Sequence, residues 1–585
     1  LALSLGSLGM FVAGWYSLGQ WLYQSPGKGR AHILLVGLLG LTLLLQTSLL
    51  ALYRHHPAAI QFERLASDQA SGYFSAAQEF DHLPTLLREF PERMSEFRAN
   101  PHPRSKPPGI IMLYWGMEQL LLRLPALAEP LGHWARNLRC HDLWLMSLSN
   151  SALAANLLIG LLTPLVSALI IWPAYGVAAR HGGYRAGWLA AGLVALMPGR
   201  LVFTPHADTL YPLLALLALY CLDTGLRRPN WIWSLAAGVV LGLATFLSLV
   251  NALAALVLGL YLVFGVMAAN RRESWWETAV STLQSRLLWQ HGIVLVLGTL
   301  SLWLLYWLTS RVTPFDIYAA AAPARHDLGR SYGLWLVGNL YDLAIFTGLP
   351  AFLLALWLGW RQRSLKTAVT WPLHLAFWPL LGILLLSGSL RGEVGRIWLM
   401  LAPFPVLLAA AGRAEWRPHQ RQAWLLIIVT ALASWVMATR LNGSVLEWPD
   451  PEPRPILWQA PAMDKRQVVD FGPDLRLLGY DVDQNASTLE LTLYWQARQR
   501  PDVAYTVFIH LQDSAGQIVA QRDVMPQNGR LPTTCWQTGE TIVDSHTLSL
   551  ADLPPDRYTL QTGLYEQASG ERLGQPAVLT TIKQP

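Results

Sequence analysis

The sequence predicts a polytopic α-helical membrane protein that carries an antiparallel β-sandwich domain at its C-terminus. Only 14% of the 585 residues are charged, whereas soluble globular domains have roughly 25%. Apolar blocks of about 20 residues, the length that crosses a bilayer, recur up to residue 440. Beyond that point, short segments alternate apolar and polar residues, which is typical of strands with one buried face.

The first region, residues 1–440, contains about twelve apolar blocks of membrane-spanning or nearly spanning length. Each is an uninterrupted run with few charges, as the hydrocarbon core requires. The predicted spans are 1–23, 31–53, 147–172, 185–199, 208–222, 231–249, 251–268, 291–309, 335–360, 371–388, 397–412 and 423–440.

Lysine and arginine predict the orientation of these spans. They collect in alternate loops, which the positive-inside rule assigns to the cytoplasm: 24–30, 173–184, 223–230, 269–290, 361–370 and 413–422. The segments predicted on the opposite side of the plasma membrane are the large loop 54–146, the loops 200–207, 310–334 and 389–396, and everything after 440. This alternation of sides requires that Gly109–Leu124 does not cross the membrane but lies in its interface. Because the loops explain the net charge of +6, we do not expect a nucleic-acid partner.

The C-terminal region begins with a Pro-rich linker, residues 441–464, and continues as a predicted β-sandwich over 465–585. The predicted strands are 489–496, 505–512, 541–550, 558–565 and 577–582. Tyr494, Trp495 and Trp536 either form a surface that stacks on sugars or pack in the core and at the edges. The three cysteines, Cys140, Cys221 and Cys535, lie far apart and form no Cys-x-x-Cys pair, and we expect neither a structural disulfide nor a zinc site.

The large outer loop holds the polar residues with the most evident chemistry. Asp68, followed by Tyr73, lies on that loop, and a carboxylate there can act as a general base or bind a divalent cation. Lys106 precedes two prolines, which favour an extended backbone, and it offers a point charge for a phosphate. His102 is a candidate metal ligand or proton carrier. Solvated loop residues and interfacial snorkelling are the alternatives.

Two further clusters lie on the same predicted face. His206 and Asp208 stand at the start of an apolar span, where Asp208 either takes part in function or stabilises the helix N-terminus. Arg391 and Arg396 suit a bidentate grasp of phosphate, unless Glu393 pairs with one of them. A fourth stretch combines Phe315–Tyr318 with Arg325–Asp327, and it lines a substrate groove or is simply solvated.

Three elements resemble the GT-C glycosyltransferases, the superfamily that includes protein O-mannosyltransferases and aminoarabinose transferases of lipid A. They are Asp68 early in the first outer loop, Lys106-Pro-Pro-Gly followed by Tyr114-Trp115, and the late element running from Arg396 to Pro403-Phe404-Pro405. The resemblance covers about residues 31–440. The sequence departs from many relatives in having Gln69 beside Asp68, and from some in having Ser105 before Lys106.

The resemblance implies a GT-C-like fold and transfer of a hexose or pentose from a polyprenyl-phosphate donor. A glycan, lipid or protein hydroxyl accepts the sugar with inversion at the outer face of the bilayer. It makes Asp68 the catalytic residue and Lys106, Arg391 and Arg396 the donor-phosphate ligands. His102, His206, Asp208, Glu393 and Tyr73 are then expected to bind substrate. A divalent metal ion, held by Asp68 and Asp208, is a further implication, and the β-rich tail resembles an accessory carbohydrate-binding module.

Two other classes of protein fit the same composition. A transporter or flippase of lipid-linked glycans would carry charges at mid-membrane depth, and the predicted spans have few. A sugar-binding membrane receptor would act through its tail. The sequence contains no glycine-rich phosphate loop, so we expect no nucleotide cofactor.

Overall fold

The computed structural model describes residues 1–24, 26–52, 57–97, 102–140, 142–228, 230–270, 274–322, 330–361, 370–412, 420–441, 456–485, 487–551 and 553–584. The predicted fold class is confirmed: helices that include several apolar candidate spans precede a C-terminal domain of antiparallel sheets. Contacts divide the chain into two compact units. One comprises Leu1–Leu124 and Ala154–Glu447, and the other comprises Pro125–Leu153 and Trp448–Pro585.

The helices of the first half are α1 (Ala2–Gln24), α2 (Lys28–Leu50), α3 (Pro57–Ala66), α4 (Tyr73–Ala77), α5 (Leu83–Arg88), α6 (Phe90–Arg93), α7 (Gly109–Leu122), α8 (Pro125–Leu138), α9 (Leu143–Ser147), α10 (Asn150–Ala168), α11 (Ile171–Ala195) and α12 (Pro198–Val202). Those of the second half are α13 (Tyr211–Arg227), α14 (Trp231–Leu247), α15 (Ala252–Ala269), α16 (Trp275–Leu283), α17 (Arg286–Ser310), α18 (Pro314–Ala320), α19 (Tyr332–Thr347), α20 (Leu349–Arg361), α21 (Trp371–Ser387), α22 (Val394–Ile397), α23 (Pro403–Gly412) and α24 (Gln420–Leu441).

Each predicted apolar block contains a helix, with two differences in detail. Helix α11 runs through the predicted loop 173–184 and is interrupted only at Gly183, whose φ is 78°. The block 335–360 is two helices, α19 and α20, which meet at an angle of 112° across Gly348. Glycine explains both breaks, because it adopts positive φ without the steric penalty that a Cβ brings.

Six of the described helical segments are long and apolar enough to cross a membrane, or up to eight if each of two bent helix pairs counts as one span. The chain is therefore a multi-pass membrane protein. Other apolar helices, such as α14 and α21, fall just short by length alone. The figure of about twelve spans stays a prediction.

Helices α14 and α17 pack closely through small residues. A Cβ added at Gly238 of α14 would clash with the backbone oxygen of Leu295, and one at Gly242 would press on the backbone of Thr299. Gly298 faces Gly238 from the other helix. Two glycines four residues apart let backbones approach, which is how helices associate in lipid without a hydrophobic driving force.

The C-terminal domain consists of two four-stranded antiparallel sheets, in the orders β1-β2-β3-β6 and β5-β4-β7-β8. The strands are β1 (Lys465–Phe471), β2 (Leu475–Gln484), β3 (Thr488–Ala497), β4 (Tyr505–Gln512), β5 (Ile518–Val524), β6 (Thr541–Ser549), β7 (Arg557–Glu566) and β8 (Ala577–Lys583). All five predicted strands are present, while β1, β2 and β5 were not predicted. Of these, β1 and β5 are largely exposed, so they lack long apolar runs.

Of the two alternatives for the aromatic residues of this domain, a sugar-stacking surface or packing, the structure favours packing. Trp495 and Trp536 are fully buried in its core, and the hydroxyl group of Tyr494 donates to Asp481 over 2.5 Å. Core packing is therefore the role of both tryptophans. Of the predicted linker 441–464, residues 442–455 lie outside the described residues.

The β-domain is a composite of two distant parts of the chain. Residues 125–153, which the sequence assigned to the membrane region, group with the strands. Cys140 forms a disulfide bond with Cys535, and the hydroxyl of Thr534 donates to the backbone oxygen of Cys140. The prediction that these cysteines form no disulfide is wrong. They are 395 residues apart, and cysteine spacing carries no information about a contact made by the folded chain.

Candidate functional site

The Lys106 segment has the local structure that its two prolines predict. A short 3-10 turn at Pro103–Ser105 leads into Lys106, whose backbone is extended (φ −124°, ψ 158°), and α7 begins at Gly109. A Cβ on Gly109 would clash with the backbone oxygen of Phe246 at the end of α14. The glycine therefore lets α7 start against α14, which positions the preceding lysine.

Asp208 forms ion pairs with two cations in the unit that comprises Leu1–Leu124 and Ala154–Glu447. It lies in a 3-10 turn, Ala207–Leu210, directly before α13, and is 2% exposed. The ammonium group of Lys106 donates to its Oδ1 over 2.7 Å, and Nε of Arg396 donates to its Oδ2 over 2.5 Å. Three segments that are far apart in sequence thus meet at one carboxylate. We call Lys106, Asp208 and Arg396 the Asp208 cluster.

The Asp208 cluster carries a net positive charge. Burial would lower the pKa of Lys106, but the attraction of Asp208 outweighs it and holds that pKa above its usual range. Burial acts on Arg396 in the same way, and again Asp208 keeps the pKa raised. Both side chains are therefore protonated, and two cations share one anion.

His102 completes the surroundings of Arg396. Nη1 of Arg396 contacts Nε2 of His102 at 3.2 Å and donates to the backbone oxygen of Ala70 at 3.4 Å. Burial, helped by Arg396 and Lys106, lowers the pKa of His102 to about 3. The imidazole is therefore neutral and accepts the hydrogen bond from the guanidinium group.

Two tyrosines flank the ammonium group of Lys106. Its Nζ lies 5.6 Å from the ring centroid of Tyr73 and 5.6 Å from that of Tyr211, both within cation–π range. Burial raises the pKa of Tyr73, so its hydroxyl keeps its proton. Tyr73 was predicted from the sequence. Tyr211 was not, because a tyrosine at the start of an apolar helix gives no distinctive signal.

Asp68 lies beside the Asp208 cluster but not in it. It is half-buried, and its Oδ1 accepts a 2.5 Å hydrogen bond from the hydroxyl of Ser75. Asp68 is two residues from Ala70, which contacts Arg396, and Ser75 is two residues from Tyr73. The structure thus brings the segment 68–75 against the cluster, and the role of Asp68 as a base stays a prediction.

His206 is buried next to the same cluster. Burial and the nearby Arg396 lower its pKa well below the usual range, and its Nδ1 has no hydrogen-bond partner among the described residues. The turn before it is held by Arg64, which donates to the backbone oxygens of Val202 and Thr204. Arg64 was missed from the sequence, since it lies inside the short helix α3 and appears there as a surface residue.

Arg391 and Glu393 belong to a different contact. Nη1 of Arg391 donates to the backbone oxygen of Arg330 over 3.0 Å, and Arg330 donates back to that of Arg391 over 2.6 Å. The guanidinium group of Arg330 also lies 3.8 Å from the carboxylate of Glu393. The described contacts therefore join Arg396, but not Arg391 or Glu393, to Asp208.

The fourth predicted stretch shows no contact with the Asp208 cluster within the described chain. Asp316 caps helix α18 by pairing with Thr313, while Phe315 and Tyr318 are largely exposed. Arg325–Asp327 lies outside the described residues.

The donor set at Asp208 does not suit a divalent cation. Both of its oxygens accept hydrogen bonds from cations, and a metal ion bound there would face Lys106 and Arg396. Among the described residues, no group of three or more His, Cys, Asp or Glu side chains has a metal-binding arrangement. The residues around Asp208 therefore do not fit a bound metal ion.

Comparison with known proteins leaves the family open. No protein-family model matches the chain, and no curated protein matches it either. Among solved structures, the chain is similar to the crystal structure of the Archaeoglobus fulgidus oligosaccharyltransferase in complex with Zn and sulfate. The match has 14% identity and a TM-score of 0.34, and it covers 66% of this chain and 52% of that one. The chain thus spans about half the length of that protein, and no functional argument rests on a similarity of this degree.

Proposed function

We propose that this protein is a membrane glycosyltransferase that moves a sugar from a polyprenyl-phosphate donor to an acceptor hydroxyl, with inversion, at the outer membrane face. The observation that carries the proposal is the Asp208 cluster. Four polar segments that the sequence separates by up to 328 residues, from Asp68 to Arg396, adjoin one another in a buried, positively charged site.

Lys106 and Arg396 bind the phosphate of the donor in this proposal. Their charge exceeds that of Asp208, so an incoming phosphate finds a net positive environment. Burial strengthens the attraction, because water screens it less. As the bond between the anomeric carbon and the phosphate oxygen breaks, negative charge develops on that oxygen. The two cations stabilise it more in the transition state than in the donor.

Asp68 activates the acceptor. It takes the proton from the acceptor hydroxyl while the acceptor oxygen attacks the anomeric carbon from the face opposite the phosphate. One bond forms and one breaks, and the polyprenyl phosphate leaves with the bonding electron pair. The hydroxyl of Ser75 orients the carboxylate of Asp68 through their hydrogen bond. Asp208 is a poor base by comparison, since two cations stabilise its charged form.

The outer face is supported by two independent observations. The positive-inside rule assigns the loops that carry the site to that side. The disulfide bond between Cys140 and Cys535 belongs to a compartment that is oxidising, and cytosolic proteins rarely keep such bonds.

The decisive assay incubates the purified full-length chain with a panel of hexosyl and pentosyl polyprenyl phosphates and measures released polyprenyl phosphate. Glycan, lipid and protein acceptors are tested in parallel. We expect Asp68→Asn to lower kcat by about 10²- to 10⁴-fold. Lys106→Met should lower it by about 10²- to 10³-fold.

Lys465→Met is the matched control, because Lys465 is an exposed lysine of strand β1. It should retain full activity. Absence of release from every donor would contradict the proposed function. Full activity of a folded Asp68→Asn protein would contradict only the assignment of the base.

A further inference from the structure

The Asp208 cluster and the two tyrosines beside it, Tyr73 and Tyr211, together contain more hydrogen-bond donors than acceptors. The hydroxyl groups of Tyr73 and Tyr211 and Nη2 of Arg396 are buried and make no hydrogen bond of good geometry among the described residues. The Tyr211 hydroxyl lies close to the Asp208 carboxylate and the Tyr73 hydroxyl close to the Lys106 ammonium group, but neither contact is well aligned. Tyr73 is 3% exposed and Tyr211 is 1% exposed. Native proteins rarely leave buried polar groups without partners, and such exceptions call for an explanation.

The two tyrosine hydroxyls and Nη2 of Arg396 all lie around the ion pair of Lys106 and Asp208. Both tyrosine rings lie 5.6 Å from Nζ of Lys106, which itself contacts Oδ1 of Asp208. Arg396 reaches Oδ2 of Asp208 through Nε, and this leaves its Nη2 available. The unpartnered donors are therefore confined to one small region that also carries a net positive charge.

The missing partner must be rich in acceptors and negatively charged. An unesterified or singly esterified phosphate has several oxygens that only accept at neutral pH, and guanidinium and hydroxyl groups are suitable donors to them. A cation would be repelled by Lys106 and Arg396. A sugar hydroxyl carries a proton of its own and would have to share the site with donors only.

We infer that Tyr73 and Tyr211 donate their hydroxyl groups, together with Nη2 of Arg396, to the non-bridging oxygens of the donor phosphate. This inference rests on the proposed function and adds Tyr211 to the substrate-binding residues. In the free protein the two hydroxyls are desolvated and have only poorly aligned contacts, that of Tyr211 with Asp208 and that of Tyr73 with Lys106. The phosphate supplies the acceptors, so part of its binding energy comes from groups that the folded chain leaves unsatisfied.

Thermal unfolding of the purified full-length protein tests this inference in both directions. The probes are farnesyl phosphate, inorganic phosphate and farnesol, and the variants are Tyr73→Phe and Tyr211→Phe, which keep the ring beside Lys106. Without ligand, each variant should have an unchanged or higher Tm than the wild type, because an unsatisfied hydroxyl is removed. Each should bind farnesyl phosphate about tenfold more weakly, which corresponds to one lost hydrogen bond.

Tyr306→Phe is the matched control. Tyr306 is a buried tyrosine whose hydroxyl does have a partner, the backbone oxygen of Leu87 at 2.9 Å. Its removal should lower the Tm without ligand and leave the affinity for farnesyl phosphate unchanged. A fall in Tm of Tyr73→Phe or Tyr211→Phe like that of Tyr306→Phe would show that those hydroxyls already have protein partners, and would overturn the inference.

The ligands separate failure of the inference from failure of the proposed function. If farnesyl phosphate and inorganic phosphate both leave the Tm of the wild type unchanged, the proposed phosphate-binding function is contradicted. If farnesyl phosphate stabilises wild type and both variants equally, only the inference is contradicted. If inorganic phosphate stabilises the wild type and both variants weaken that stabilisation, the inference is supported for the phosphate group alone. If farnesol raises the Tm of the wild type as much as farnesyl phosphate does, the inference is contradicted.

Discussion

Each end of helix α13 has a buried aspartate with two cations. The two ends differ in whether the neighbouring tyrosine hydroxyls make well-aligned hydrogen bonds. Asp208 precedes the helix and Asp223 lies near its end, about 22 Å further along. Both aspartates are 2% exposed and both hold two cations. At Asp223, however, the neighbouring tyrosine hydroxyl is used: Tyr261 donates to Oδ1 over 2.9 Å. At Asp208, the hydroxyls of Tyr73 and Tyr211 make no hydrogen bond of good geometry among the described residues, although that of Tyr211 lies close to the carboxylate.

This difference indicates which cluster is structural. At Asp223, the partners Arg180 and Arg227 come from α11 and α13, and Tyr261 comes from α15, so the carboxylate joins three helices with its hydrogen bonds made. The Asp208 cluster joins loop segments and retains donors. A buried carboxylate with two cations is therefore not by itself a sign of function. The unsatisfied groups around it carry that information.

The largest expected effect separates the two clusters by activity. Arg396→Gln should lower kcat for sugar release by about 10²- to 10³-fold, because a cation that stabilises the leaving phosphate is lost. Arg180→Gln makes the same chemical change at the other end of α13 and should keep kcat within about twofold of wild type. The measurement is release of polyprenyl phosphate under saturating donor. A comparable loss of kcat in a folded Arg180→Gln protein would break the distinction.

A smaller effect concerns stability and its rescue by ligand. Asp208→Asn leaves Lys106 and Arg396 without their counter-ion and should cost about 3–5 kcal/mol of unfolding free energy. Asp223→Asn should cost less, about 2–3 kcal/mol, because Arg180 and Arg227 are partly exposed. Farnesyl phosphate should restore part of the stability of Asp208→Asn and none of that of Asp223→Asn. Unfolding in detergent with and without the ligand measures both, and equal rescue would remove the contrast.

A pH effect follows from His102. Its pKa is lowered to about 3 by burial, then by Arg396 and Lys106, whereas an unfolded histidine titrates near 6.5. Between these values the unfolded chain binds one more proton than the folded chain. Stability therefore falls as pH drops from about 6.5 toward 3, by about 1.4 kcal/mol per pH unit from this residue. His102→Gln should reduce the slope of unfolding free energy against pH by that amount, and an unchanged slope would show that His102 is not buried in its neutral form.

The smallest expected effect is that of metal removal. Since both oxygens of Asp208 accept hydrogen bonds from cations, Lys106 and Arg396 supply the positive charge that a metal would otherwise bring. Dialysis against EDTA should change the rate of polyprenyl phosphate release by less than about twofold. A large loss that added Mg²⁺ or Mn²⁺ restores would place a metal in the reaction and assign it ligands other than Asp208.

The sequence predicted the helices better than the individual contacts of the site. Apolar blocks mark helices because every backbone group in lipid must be paired within the segment. Asp208 and Lys106 were both predicted as site residues, but no spacing predicts that they bond to each other. Arg391 and Arg396 cannot be distinguished in the sequence. The turn into α22 lies between them, and in the fold Arg391 contacts Arg330 whereas Arg396 contacts Asp208. Tyr211 was missed because its position beside the ammonium group of Lys106 exists only in the folded chain.

The disulfide bond between Cys140 and Cys535 has a consequence for biosynthesis. The two cysteines are 395 residues apart. At ordinary elongation rates the ribosome therefore adds Cys535 about 20–80 s after Cys140. Throughout that interval Pro125–Leu153 exists without the strands with which it forms one compact unit. The β-domain therefore completes its assembly only near the end of synthesis, and until then the Cys140 thiol lacks its disulfide partner.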